Sequence, residues 1–339
     1  MKRISITDIA RELDVTPSTV SRALNGGPRI SEKTRDSVVK LAQKWGYRPN
    51  PLAQGLISKK TYNLGLIIPE FTHHFFNQVL RGIESLAVSK GYHLIICTSD
   101  NDYEKERKSI QTLLDLRVDG FLVVLGDNTQ YSDHLQEIFS LEVPLVFVDR
   151  TCEDWEASYV ITDDFEGAFQ ATEHLIACGS KQIVYIQGPA HISTSFNRLI
   201  GYQEALKKWN IPYREEYVVN GSSTQLRKEL SALLACPPVA SHPVEAVFAH
   251  NDYLAYEAAT VLQQQGFRIP EDILLMGYAD EPIATYMTPQ LSTVQQPAFE
   301  MGQYSADLLI QQLEGRHINP EAASRCMSTS MVIRASTSR

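Results

Sequence analysis

Between Thr16 and Asn25 the chain reads Thr-Pro-Ser-Thr-Val-Ser-Arg-Ala-Leu-Asn, a set of side chains suited to a nucleic acid. The guanidinium of Arg22 is a planar fork of donors that matches a guanine edge or a phosphate. Ser18 and its small neighbours allow close approach while still offering hydroxyls. A second set of polar residues is dispersed through the rest of the chain: Glu70 to Phe76, Asp149-Arg150, Asp163-Asp164, His191 to Arg198, Gly221 to Thr224, Asn251-Asp252 and Ala279-Asp280. Carboxylates, an amide and an arginine beside aromatics form the hydrogen-bonding set that a polyhydroxylated molecule such as a sugar requires. Singly, each is an ordinary surface residue. Only elements that gather them would make a site.

The first set sits on a short helix. Thr16 is a good N-cap, Pro17 fits the first helical position, and Val20, Ala23 and Leu24 form one apolar face, which leaves Pro17, Ser18, Ser21 and Arg22 on the other. Ile6, Ile9, Ala10 and Leu13 repeat at helical spacing before it, with Thr7 and Asp8 at the start of that helix. Asp14-Val15 makes a tight connection between the two, a helix-turn-helix pattern. After Gly26-Gly27-Pro28, Ser31 caps a third helix whose buried stripe is Val38, Leu41, Ala42 and Trp45, and Gly46 ends it. In Pro49-Asn50-Pro51-Leu52-Ala53-Gln54-Gly55-Leu56-Ile57 the two prolines exclude a long helix before Leu52. The turn or two that could follow is too short to stand alone in water. It reads as a linker, or as a helix formed only against a symmetry mate and a DNA minor groove, with Leu56 wedged between base pairs.

From Asn63 onward, apolar runs alternate with amphipathic stretches. Strands are expected at Leu64–Ile68, His93–Thr98, Phe121–Leu125, Leu145–Val148, Gln182–Gln187, Tyr217–Asn220, Ala246–Ala249 and Ile273–Met276. Helices are expected at Phe75–Lys90, Asp102–Arg117, Phe165–Cys178, Arg198–Trp209, Gln225–Leu234 and Leu254–Gln265. Such alternation predicts two α/β lobes, each a parallel sheet covered by helices on both sides. The second polar set then falls at the carboxyl ends of the strands, where open parallel sheets bind ligands.

Charge separates the two halves. The chain of 339 residues has a formal net charge of −9, but its first sixty residues hold 12 of the 31 Lys and Arg against 5 of the 40 Asp and Glu. The head is therefore +7 and the remainder −16, which concentrates phosphate attraction in one small module. The 43% hydrophobic content is that of a globular protein, and the N-terminus enters a helix pattern without an apolar leader, so a cytoplasmic location is expected. The five cysteines lack metal-type spacing, and neither a metal nor a cofactor is expected. Nucleophile-elbow, phosphate-loop, dinucleotide and metalloprotease motifs are missing, which argues against an enzyme.

Thr7-Asp8-Ile9-Ala10, the Val15 to Asn25 run and Pro49-Asn50-Pro51-Leu52-Ala53-Gln54-Gly55-Leu56 resemble the head and hinge of the lactose-repressor (LacI/GalR) family of bacterial transcription regulators. Val148-Asp149-Arg150, Arg198 to Tyr202, Ala249 to Asp252, Gly277 to Asp280 and Thr293 to Pro297 resemble its periplasmic-binding-protein-like effector domain. The resemblance implies a helix-turn-helix domain over 1–48, a hinge over 49–61 and a two-lobed effector and dimerisation domain over 62–339. Its lobes would be roughly 62–160 plus 292–322, and 161–291 plus 323–339. It implies a homodimer on a near-palindromic operator in double-stranded DNA, without membrane attachment, and a repressor whose DNA affinity a small molecule controls. The implied DNA set is Thr7, Thr16, Pro17, Ser18, Thr19, Ser21, Arg22, Asn25, Asn50, Ala53, Gln54 and Leu56, with Pro17, Ser18 and Arg22 at the bases and Leu56 as the wedge. The resemblance implies effector contacts from Phe75, Asp149, Arg198 and Asn251, and the strand-end loops add His73, Ser193, Ser223 and Asp280 to the candidate effector set.

Three departures stand out. Gln54 replaces an arginine frequent after the hinge alanine, Ala279 stands where a ligand-holding Asp is common, and Ser223 stands where an aromatic often stacks on the ligand. A sugar is the default effector. The alternative to a regulator is a free-standing cytoplasmic solute receptor, against which the basic head argues. The last residues carry no leucine heptads, so a dimer is expected rather than a coiled-coil tetramer.

Overall fold

A computed structural model of the chain describes residues 4–28, 30–47, 60–129, 131–152, 154–238, 243–315 and 323–338. The chain forms two compact units, Met1–Thr61 and Tyr62–Arg339.

The first unit contains α1 (Ile6–Glu12), α2 (Pro17–Leu24) and α3 (Glu32–Lys44). Each begins on a hydroxyl cap. Ser5 and Asp8 exchange bonds in a capping box, the Thr19 N–H donates to Thr16, and the Thr34 N–H donates to Ser31, which satisfies donors that have no partner within a first turn. Helix α1 starts one residue before Thr7, because Ser5 is the cap. Ile9, Ala10, Val20, Ala23, Val38 and Ala42 form the buried centre. The expected hinge positions Asn50, Ala53, Gln54 and Leu56 lie outside the described residues.

In the second unit, β1 (Asn63–Ile68), α4 (His74–Ser89), β2 (His93–Thr98), α5 (Tyr103–Asp115), β3 (Gly120–Val123), α6 (Gln136–Ser140), β4 (Leu145–Val148) and β5 (Ser158–Thr162) alternate as a first lobe. A second follows in α7 (Asp164–Ala177), β6 (Ile183–Gln187), α8 (Ser193–Lys208), β7 (Val218–Asn220), α9 (Ser223–Ala235), β8 (Ala246–Ala249), α10 (Asp252–Gln264) and β9 (Leu274–Met276). The chain ends with α11 (Ile283–Tyr286), β10 (Thr293–Gln295), α12 (Ala298–Leu313), β11 (Arg325–Met327) and β12 (Ser330–Val332). One sheet has the order β11-β5-β4-β3-β1-β2 and the other β7-β6-β8-β9. All their pairings are parallel, with Leu64 opposite Leu94 and Gly120, and Val247 opposite Val184 and Leu275. The inner strands β1, β3, β4 and β8 are almost wholly buried, as sheets covered on both faces must be.

The division of the C-terminal part differs from the expected one. Residues 325–327, expected in the second lobe, extend the first sheet beside β5, with Cys326 opposite Ile161. Residues 293–295, expected in the first, pair antiparallel with β12, while Ser292 and Gln295 bridge to Met276 and Ala279 at the edge of the second sheet. The chain thus crosses between lobes after β5, after β10 and between β11 and β12. Short edge strands fill open ladder positions there, and their few residues give no periodic signal. Helix α8 also starts at Ser193, five residues before the expected Arg198.

Candidate functional site

A cavity of about 750 Å³ lies between the two lobes at the carboxyl ends of their strands. The loop after β1 delivers Glu70 and His73, and the first turn of α4 delivers Phe75. The end of β4 delivers Asp149 and Arg150, β6 delivers Gln187, the end of β8 delivers His250 and Asn251, and the first turn of α10 delivers Tyr253. Each group stands where its strand ends because backbone pairing stops there and the chain turns into a helix.

Arg198 reaches this floor from within α8. Its Nε and Nη2 both approach Asp164 Oδ1 at 2.8 Å, its Nη1 donates to the His250 carbonyl at 2.6 Å, and its guanidinium lies 3.6 Å from the centre of the Tyr278 ring. Burial works against its charge, but Asp164, Tyr278 and Asp149 outweigh that and hold its pKa above the ordinary value. Burial also raises Asp149 above the usual carboxylate range, although Arg150 and Arg198 pull it down. Asp149 sits on left-handed backbone at φ 66°, which Asp tolerates better than most residues. Arg150 is tied to Asp127 at 2.8 Å and to the Leu125 carbonyl at 2.6 Å. His250 is held well below its usual pKa by burial and then by Arg198, Arg150 and His73, so it is a neutral ring. The site is therefore lined by hydrogen-bonding groups, and its two arginines already have carboxylate partners.

Aromatic faces close one side. His73 lies 4.6 Å from Tyr253, ring centre to ring centre, and pairs with Glu70 at 3.3 Å, while Phe75 packs edge-on against Phe76. Asn251 caps α10 by accepting the Leu254 N–H at 2.9 Å. Beside it Asp252 is fully buried and pushed up to about 7, chiefly by burial, while it accepts bonds from the Thr293 hydroxyl and the Glu281 N–H.

In the first unit the exposed face of α2 carries a linked polar group. Thr16 Oγ1 is 2.8 Å from Ser18 Oγ and 2.9 Å from Thr19 Oγ1, and the Arg22 guanidinium folds back to donate to Ser18. Thr7, Thr16, Pro17, Ser18, Arg22 and Asn25 are exposed, and Thr19 and Ser21 are half-buried.

The model of bacterial regulatory proteins of the lacI family matches residues 5–50, and that of the periplasmic binding protein-like domain matches residues 172–337. The chain is 30% identical over 335 residues to the HTH-type transcriptional repressor CytR of Escherichia coli (strain K12), which covers 98% of this chain and 96% of the relative. The chain belongs to the LacI family. Among solved structures, the lac repressor dimer bound to operator and the anti-inducer ONPF matches 99% of each chain with a TM-score of 0.81 at 26% identity. The transcriptional regulator CelR–cellobiose complex matches 98% of this chain and all of its own with a TM-score of 0.73 at 29% identity. As a LacI-family member, the protein is a DNA-binding regulator of transcription.

Within this LacI-family frame, His73, Phe75, Asp149, Arg198 and Asn251 of the expected effector set line one cavity. Ser193 stands at its edge, where its hydroxyl accepts the Thr151 N–H at 3.2 Å. Ser223 opens α9 next to the lining residue Ser222. Asp280 departs from expectation. Its left-handed backbone, φ 53°, turns the carboxylate away from the cavity to Arg334 at 2.7 Å and to Gln295. Ala279 and Glu281 line the cavity instead. Asn101, Asp127, Gln187, Gln225 and Glu281 are lining residues that the sequence reading did not select. For Asp127, just after the expected strand Phe121–Leu125, and for Gln187, the last residue of β6, position at a strand end was the available signal. Glu281 adjoins the selected strand end Ala279-Asp280, but nothing local signalled its contact with α4, whose amides are 206 and 207 residues away.

Proposed function

We propose that the protein is a repressor that acts as a homodimer in the cytoplasm on a near-palindromic operator, and that an uncharged, hydroxyl-rich effector held between the lobes controls its grip on DNA. The observation that carries this reading is the cavity between the lobes, where acceptors and donors from both sheets converge and both arginines are neutralised within the protein. Such a floor favours hydroxyl groups over a free phosphate, which would have to compete with Asp164 and Asp127 for the guanidinium groups.

In this reading Asn251 and Gln187 fix the ligand's orientation, Asp149 accepts from a hydroxyl, and Phe75 with the His73–Tyr253 pair supplies the apolar face that Ser223 cannot. Arg198 acts mainly by holding the floor in place. On the head, Ser18 and Arg22 read base edges, with Pro17 beside them, while Thr7, Thr16, Thr19, Ser21 and Asn25 hold phosphates or support the helix. A regulator needs no chemical step, and the cleft carboxylates serve as hydrogen-bond acceptors. Neutral mono- and disaccharides and nucleosides should raise the melting temperature if they occupy the cleft, by mass action. The same compound should change retardation of a genomic promoter fragment. A ligand that stabilises the chain strongly and leaves DNA retention unchanged would refute the coupling.

A further inference from the structure

Glu281 is the carboxylate through which the two lobes touch most directly. It follows β9 in the second lobe and is only 2% exposed. Its Oε2 accepts the His74 N–H at 2.8 Å and its Oε1 accepts the Phe75 N–H at 3.0 Å. These are the first two amides of α4, in the first lobe, and they have no acceptor within their own helix. His73, at the N-cap, supplies no side-chain bond. The positive end of this helix is therefore satisfied by a negative charge from the opposite lobe.

The arm that delivers this charge is itself fixed. Ala279 and Asp280 both occupy the left-handed region, at φ 103° and 53°, a conformation that an alanine holds only under constraint. The Glu281 N–H donates to Asp252 at 2.6 Å, and Arg334 holds Asp280 at 2.7 Å. Two further bonds between the lobes, the Tyr253 hydroxyl to the Thr72 carbonyl at 3.3 Å and the Thr151 N–H to Ser193 at 3.2 Å, are longer and have a neutral acceptor. A carboxylate that accepts two backbone N–H groups outweighs these.

We propose that Glu281 is a tethered anion that closes the cleft, holding the lobes together and positioning His73 and Phe75 for the effector. The effector then brings no acidic group to this end of the cleft, because the α4 amides are already taken. The inference deepens the reading of the cleft as an effector site and rests on it for what the closure serves. Its test uses no effector, so the two can fail separately.

The test is residue-resolved hydrogen exchange on the full chain without DNA or ligand, comparing wild type with Glu281→Ala and Glu281→Gln. In Glu281→Ala, exchange at His74 and Phe75 should accelerate by about tenfold or more. Exchange at Thr151, which Glu281 does not touch, should accelerate several-fold as the lobes part. Glu281→Gln, which keeps one acceptor oxygen, should fall between the two at all three positions. Unchanged protection in β1 and β8 reports that both lobes remain folded. If Glu281→Ala does not fold, the Glu281→Gln comparison with wild type decides alone. Loss of protection at His74 and Phe75 with Thr151 unaltered would make Glu281 a local helix cap and overturn the proposal, as would unchanged exchange at all three.

Discussion

Arg198 shows how much of a residue's meaning depends on its neighbours. From the chain alone it is a cation free to hold a ligand. In the fold, Asp164 takes its Nε and Nη2, the His250 carbonyl takes its Nη1, and Tyr278 covers one face of its guanidinium. Its charge is thus largely spent on the protein, a partition that no local pattern announces because the partners are 34 and 52 residues away. Arg22 differs, since its only described hydrogen bonds run to Ser18, one helical turn back, on an exposed face. Arg22→Ala should therefore reduce discrimination between operator and random DNA as well as affinity, by about 1–3 kcal/mol at the position it reads. Competition gel retardation measures both, and equal losses on the two DNAs would remove Arg22 from base reading. Asp252 carries a pH prediction. Burial, with Asp280 and Glu281 nearby, raises it to about 7, so folding favours its protonated form. That stability is fully present below the ordinary carboxylate pKa of about 4 and is lost as pH rises through about 7. The gap in urea midpoint between wild type and Asp252→Asn, which cannot ionise, should therefore move against the wild type from pH 5 to pH 8. A constant gap would contradict the shift.

At the scale of elements, each lobe has a helix pair that meets through glycine. A Cβ on Gly82 of α4 would lie 2.0 Å from the Phe299 carbonyl oxygen of α12, and one on Gly302 of α12 would lie 2.1 Å from that of Val79. In the second lobe, a Cβ on Gly201 of α8 would lie 2.3 Å from the Phe165 carbonyl oxygen of α7. Because the obstacle is backbone, the helices themselves must separate to admit a methyl group. Gly82→Ala should cost about 3 kcal/mol, at the upper end of overpacking penalties, read as a lower urea midpoint. It should also shift α4 and with it the His73–Phe75 wall. These contacts were not legible in the sequence, where Gly82 and Gly302 are simply small residues within amphipathic stretches. The inner strands were legible, since Leu64–Ile68 and Leu145–Val148 are unbroken apolar runs with turn signals on either side. Strand β5 was not, because Ser158 and Thr162 are buried while Tyr159 and Ile161 are half-exposed, which blurs both the alternating and the continuous pattern. The capped helices of the head were plain because Thr16-Pro17 and Ser31 announce them locally.

At the scale of the whole molecule, charge and core are divided at the same place. The six buried residues at the centre of the first unit form a cluster of their own, and the clusters of the second unit draw only on residues beyond position 62. A chain that begins at Tyr62 therefore retains the buried clusters described for its two lobes, and should melt cooperatively and keep any stabilisation by effector. It also retains a net charge of −16, which opposes approach to a duplex at any distance within the screening length. The intact chain should hold its promoter fragment with an affinity whose logarithm falls linearly with the logarithm of salt concentration, at a slope of about −0.9 for each phosphate neutralised. The shortened chain should retain no DNA from low salt upward, because all of the surplus positive charge was removed with the head. Gel retardation and calorimetry on the two chains, across a salt series, test both halves at once. Retention of the fragment by the shortened chain would place the DNA contacts in the acidic lobes, and loss of effector stabilisation on shortening would mean that the cleft depends on the head for its shape.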